Sequence, residues 1–145
     1  MVNDVVVRGR YAYLASGSAG LQIVDTESPE LSLVGQVDTA GYALSLDVIG
    51  DYAYLADELY GLCIIDVSTP TRPQEVGFYD PVQPAEHVIV ADEYAYTLDG
   101  GAMRIVDVSI PTQPVEVGLF QTIGLPVQVI ISEQHAYVIN ERQAI

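Results

Sequence analysis

Apolar residues fall along this chain in short blocks of about five, separated by Gly, Pro, Asp and Ser. One block interleaves aromatic and small residues: Tyr11-Ala12-Tyr13-Leu14-Ala15, Tyr52-Ala53-Tyr54-Leu55-Ala56 and Tyr94-Ala95-Tyr96-Thr97-Leu98. A fourth version reads His135-Ala136-Tyr137-Val138-Ile139, and the steps between Ala12, Ala53, Ala95 and Ala136 are 41, 42 and 41 residues. Each unit predicts four strands, called a to d. Strand a covers Asp4–Arg8, Leu46–Ile49, His87–Ala91 and Val127–Ser132, and strand b begins at Tyr11, Tyr52, Tyr94 and His135. Strand c covers Leu21–Thr26, Leu62–Val67 and Met103–Val108; strand d covers Leu33–Asp38, Glu75–Tyr79 and Val115–Gln121. The short gaps Gly9-Arg10, Gly50-Asp51, Asp92-Glu93 and Glu133-Gln134 fit tight hairpins between a and b. Strands a and c are apolar on both faces, as in a sheet sandwiched between two others. Gly, Pro and β-branched residues interrupt every window long enough for a helix.

A fixed period of this length, built from short strands, predicts an all-β fold: β-propeller blades of four antiparallel strands, about three and a half per chain. The expected organisation is a single repeat domain over 1–145 with blades near 4–41, 42–82 and 83–123, a half blade over 124–145, and an incomplete ring. The recurring Ala12, Ala53, Ala95 and Ala136 mark a close approach between blades. Between c and d a second signature appears, Asp66-Val67-Ser68-Thr69-Pro70-Thr71-Arg72-Pro73 and Asp107-Val108-Ser109-Ile110-Pro111-Thr112-Gln113-Pro114. Its Asp and Ser side chains suit bonds to nearby backbone N–H groups, so Asp25, Asp66 and Asp107 read as turn-makers. Together the Leu-x-Ile-Val-Asp strand, the Ser-x-Pro-x-x-Pro turn, the Val-Gly that follows and the Tyr-Ala-Tyr strand resemble the LVIVD repeat of bacterial and archaeal proteins. The resemblance implies a β-propeller, often in a surface or secreted protein, and brings no catalytic residues with it. The first unit departs from the pattern by losing the second Pro, and the third carries Ala102 where the others have Gly.

Three and a half blades do not close a ring, because propellers use about four to eight. An open ring exposes an apolar blade face and unpaired strand edges. Two readings stand: the missing part of a larger propeller covers them, or the chain forms a homodimer. On the second reading two chains at about 41 residues per blade make roughly seven blades, the two half blades complementing each other. An excised or engineered fragment whose only function is assembly is a further alternative.

Twenty acidic residues against five basic ones, all Arg, give a net charge of −15. Such a chain repels phosphate backbones and anionic lipid, which argues against nucleic-acid partners. No apolar run approaches the roughly 18 residues of a spanning helix, so no membrane insertion is expected. No basic-then-apolar leader is read at the N-terminus. An extracellular or cell-surface setting and a protein or carbohydrate partner are expected. Cys63 is the one cysteine and reads as a small buried hydrophobe.

Candidate chemistry comes from the repeat register. Seven residues before strand b stand Asp4, Ser45, His87 and Gln128, polar residues at the start of inner strands, placed to ring the channel mouth and bind a ligand there. The bland reading is that they mark solvated strand ends. His87 near carboxylates is the residue on which a channel-face hydrolase or lyase would rest. Five residues after the start of strand b stand Ser16, Asp57, Asp99 and Asn140. Asp57 and Asp99 are weak metal candidates for Ca²⁺, with turn formation as the alternative. His135 replaces a Tyr and reads as a packing substitution; Tyr42, Tyr60 and Tyr79 are contact candidates. No hydrolase elbow, zinc-protease, phosphate-loop or dinucleotide motif appears. The expectation is a non-enzymatic interaction or scaffold module without a cofactor.

Overall fold

A computed structural model describes residues 1–141; the end of the expected half blade, 142–145, lies outside the described residues. Fourteen strands follow in chain order: β1 (Asp4–Arg8), β2 (Tyr11–Ala15), β3 (Leu21–Asp25), β4 (Ser32–Val37), β5 (Ser45–Ile49), β6 (Tyr52–Ala56), β7 (Leu62–Asp66), β8 (Gln74–Tyr79), β9 (His87–Ala91), β10 (Tyr94–Leu98), β11 (Ala102–Asp107), β12 (Val115–Gln121), β13 (Pro126–Ser132) and β14 (His135–Asn140). They form three four-stranded antiparallel sheets in chain order and one two-stranded sheet, β13–β14. These are β-propeller blades, about three and a half in number. The first residue of each a–b turn takes a left-handed φ, near 55° at Gly9, Gly50, Asp92 and Glu133. The last two are not Gly; Asp is among the side chains enriched in this region, and Glu133 adopts it without that preference.

Strands β1, β5, β9 and β13 lie next to one another and form the inner layer. Each blade presents one face forward to the next blade and the other backward. Tyr13, Ala15, Leu21 and Ile23 of the first blade pack on Leu46, Ala53, Leu55 and Ile65 of the second. Tyr54, Ala56, Leu62 and Ile64 then pack on Val88, Val90, Ala95 and Val106 of the third. Ala53 and Ala95 are fully buried at these contacts, whereas Ala12 is half-buried and Ala136 is exposed. One register shift recurs between strands c and d, opposite Ile23/Val24, Ile64/Ile65 and Ile105/Val106, where strand d carries the extra residue, Val34, Val76 and Val117. Nothing in the apolar pattern announces this bulge, which adds twist to the outer strand.

The blades are also stitched together by polar groups. Asp4 accepts bonds from the Ser45 hydroxyl (3.1 Å) and the Leu46 N–H (3.0 Å) of the second blade. Asp47 of the second blade accepts from Val90 N–H of the third at 2.9 Å. These N–H groups belong to the sheet-edge strands β5 and β9, and side chains of the preceding blade satisfy them.

The pair β13–β14 corresponds to β1–β2, the inner half of a blade. Among the described residues a second copy would supply the same inner pair and neither strand c nor strand d. Two half blades therefore do not complement each other, and the seven-blade count is corrected. A two-copy ring would hold about eight blade positions, two of them filled only by an inner hairpin. His135 is likewise corrected: it is exposed, not packed, on a forward face that no further blade covers among the described residues.

Candidate functional site

The inner layer brings Asp4, Ser45, His87 and Gln128 to one cavity of about 270 Å³, together with Asp47 and the backbone of the four inner strands. Each residue starts an inner strand of successive blades, so the 41-residue period places them side by side. Their chemistry is unequal. Asp4 is committed to Ser45 and Leu46 through one oxygen and to Val5 N–H (2.8 Å) through the other. Asp47, which the register argument missed because it lies two residues further along its strand, accepts Val48 N–H (2.8 Å) and Val90 N–H (2.9 Å). Arg8 approaches the same carboxylate at 3.7 Å. Both carboxylates thus act first as inter-blade fasteners. Gln128 is exposed.

His87 differs. Its Nδ1 is buried and has no hydrogen-bond partner among the described residues, an arrangement that costs free energy unless a ligand or solvent molecule satisfies it. Burial pulls its pKa below the usual histidine value, against the opposing pull of Asp4 and Asp47. The imidazole is therefore neutral at neutral pH. The unfolded chain binds this proton more readily than the folded one, so stability is full above pH of about 6.5 and is lost as pH falls towards the folded-state value. Urea midpoints at pH 7.5 and 5.5 are expected to fall on acidification, and His87→Gln is expected to flatten that slope. An unchanged slope in the variant would show that His87 does not carry it.

The second register is dispersed. Asp57 accepts the Thr39 hydroxyl and Gly41 N–H, each at 3.0 Å, and so clasps the segment that crosses from the first blade to the second. Burial pushes its carboxyl up, and the two donors pull it back down. Asp99 instead accepts Gly101 N–H (3.1 Å) and pairs with Arg104 at 2.8 Å. Among the described residues no three His, Cys, Asp or Glu side chains gather as metal ligands. Asp66 and Asp107 accept Ser68 N–H (2.8 Å) and Ser109 N–H (2.9 Å), the turn role expected of them. Asp25 accepts Glu27 N–H and is also gripped by Arg10 at both oxygens.

A second concavity, about 410 Å³, lies on the second blade beside the segment that crosses to it from the first, and is lined by Asp57, Tyr60, Cys63, Glu75, Phe78 and Asp80 among others. Burial pushes the Cys63 thiol far up, which leaves it unreactive. Tyr60 is half exposed on the rim, whereas Tyr79 is no contact residue, because its hydroxyl donates to Glu116 of the next blade.

Solved structures place this fold among propellers. The chain superposes on the computationally designed Ika8 protein with a TM-score of 0.78 and 6% identity, covering 94% of this chain and 42% of that one. The designed Ika4 protein gives 0.77 and 7%, with 95% and 84% covered. A functionally unknown protein from Desulfotomaculum acetoxidans DSM 771 gives 0.54 and 12%, with 97% and 63% covered. The chain thus spans less than half the length of the first of these, and at such identities the likeness concerns the fold alone. No curated protein matches the sequence. The LVIVD repeat matches residues 1–39, 40–81 and 84–122, and with well over half of the chain covered, this protein belongs to the LVIVD-repeat family.

Proposed function

We propose that the chain is a non-enzymatic β-propeller interaction module of a bacterial surface or secreted protein, and that it completes its ring by self-association. The observation that carries this reading is the pair of uncovered end faces. Val5, Val7 and Leu33 on the first blade's backward face are each more than half exposed. Ile130, Tyr137 and Ile139 on β13–β14 face forward and are 44–56% exposed. These positions share the register of residues buried between neighbouring blades, such as Leu46 and Val48 behind, and Tyr54 and Ala56 in front. Exposed apolar area of this kind favours burial. A two-fold axis along the channel would set each forward face on the other copy's backward face and close both junctions. The polar cavity at the inner strands would then open onto the composite channel, where a protein or carbohydrate partner with hydrogen-bonding groups would find Ser45, His87 and Gln128.

The rival reading, a channel-face hydrolase or lyase, rests on the unpartnered His87. The neighbouring carboxylates Asp4 and Asp47 are already occupied by backbone N–H groups, which leaves the imidazole without a carboxylate free to orient it. Light scattering on a size-exclusion column at several concentrations is expected to give the mass of a dimer. Val5→Lys with Val7→Lys, on an exposed strand, is expected to shift it to a monomer. A monomeric parent chain at every concentration would sink the self-association reading.

A further inference from the structure

Strand pairing aligns the second and third blades position by position. Cys63, opposite Phe78, stands where Arg104 lies opposite Leu119, and Glu75, opposite Ile65, stands where Glu116 lies opposite Val106. Asp57 and Asp99 each follow strand b directly. In the third blade these positions form a filled cation site. The Arg104 guanidinium bonds Asp99 and Glu116, each at 2.8 Å, and the Tyr79 hydroxyl of the second blade also donates to Glu116. In the second blade both carboxylates are kept, as Asp57 and Glu75, but the cation is not. Cys63 takes the place of Arg104, and Val37 of the first blade takes the place of Tyr79. Among the described residues neither Asp57 nor Glu75 pairs with a cation. The space that an arginine would fill is the concavity of about 410 Å³.

We propose that this concavity binds a guanidinium group carried by another molecule, seated between Asp57 and Glu75 as Arg104 is seated between Asp99 and Glu116. Each Asp57 oxygen takes one protein donor, from Thr39 and from Gly41, and a carboxylate oxygen accepts two bonds, so capacity remains. Those donors fix Asp57 at the buried floor, whereas Glu75 is exposed and reaches the ligand from the rim. Burial pushes the Asp57 carboxyl up; Thr39 and Gly41 pull it back, and Glu75 and Glu58 add to the rise, as negative charge without a counter-charge does. A bound cation relieves that repulsion. Tyr60 and Phe78, 51% and 60% exposed, offer the aromatic faces on which a guanidinium stacks. Among the described residues no three His, Cys, Asp or Glu side chains gather to hold a metal ion, which favours a larger, organic cation. Two sources carry the group, a free small molecule and an arginine side chain of a protein partner. The site belongs to the first two blades, both complete four-stranded sheets, so the inference goes beyond the assembly reading and does not need the ring to close.

The test is isothermal titration calorimetry of the full chain with butylguanidinium chloride and, separately, with an acetylated and amidated Gly-Arg-Gly peptide. Saturable binding at one site per chain is expected. Glu75→Gln, at an exposed side chain, is expected to weaken it by about tenfold, because a charge-assisted hydrogen bond is lost. Cys63→Arg is expected to abolish it, since the new guanidinium fills the cavity as Arg104 fills its own place. Glu30→Gln, at an exposed carboxylate outside the cavity lining, removes the same net charge and is expected to leave the affinity unchanged. Tighter binding of the peptide than of butylguanidinium assigns the site to an arginine of a protein partner, and the reverse order assigns it to a free small cation. No saturable binding of either probe, or equal losses in Glu75→Gln and Glu30→Gln, overturns the proposal.

Discussion

Gly77→Ala is expected to destabilise the fold by about 2–3 kcal/mol, while Gly118→Ala changes it by no more than about 0.5 kcal/mol. Both glycines occupy one register of strand d in successive blades. At Gly77 the new methyl carbon would sit 2.1 Å from the Pro111 carbonyl oxygen, with Thr112 Cα also close, and backbone cannot swing aside as a side chain can. Relief requires the second and third blades to separate locally. That would loosen the buried contact between Ile64 and Val106 and the Tyr79–Glu116 bond. At Gly118 the nearest atom is the tip of Ile105, which has room to yield a few tenths of an ångström. Paired urea titrations give the comparison, and equal midpoints for the two variants would show that the Pro turn is not held as described.

Arg104→Leu is expected to cost about 2–4 kcal/mol. The side chain is 13% exposed and bonds Asp99, itself 4% exposed, and Glu116, 29% exposed, each at 2.8 Å. Burial opposes its charge, but the bonds to Glu116 and Asp99 outweigh that and hold it protonated. Removing it strands the Asp99 carboxylate with a single donor, Gly101 N–H, and leaves Glu116 to Tyr79 alone. The figure is set below that of a fully buried pair because Glu116 reaches solvent. Adding Asp99→Asn to Arg104→Leu is expected to recover part of the loss, since the stranded charge disappears. Urea midpoints of the single and double variants decide it. A single variant within about 0.5 kcal/mol of the parent would mean that solvent screens the cluster.

Much of this architecture was legible because a propeller blade is a local object. Strand b is announced by Tyr-Ala-Tyr, and all four begin at the predicted residue. Strand a precedes it by a two-residue turn and strand c follows after a loop of three to five residues, so errors elsewhere amount to a residue at strand ends, as at Ser45 and Gln74. The same period brought Asp4, Ser45, His87 and Gln128 to a single cavity, because equal steps along the chain become adjacent inner strands. Asp47 escaped notice because only one blade carries a carboxylate there. Its partner, the N–H of Val90, is a backbone group that no side-chain pattern reveals. Asp57 and Asp99 share a register but not a role: the first finds Thr39 and Gly41 in the crossing segment, the second finds Arg104 on its own sheet.

By itself the sequence determined the strands, their order within each blade, the repeat family and the register of the polar ring. All of these rest on local periodicity and turn chemistry, which neighbouring residues dictate. Only the tertiary structure decided which carboxylates are spent as fasteners between blades, that His87 keeps a buried nitrogen without a partner, and that Gly118 lies open where Gly77 is covered. Those properties belong to the packing of one repeat on the next. A residue type repeated along a chain does not say whether its neighbour in space is present.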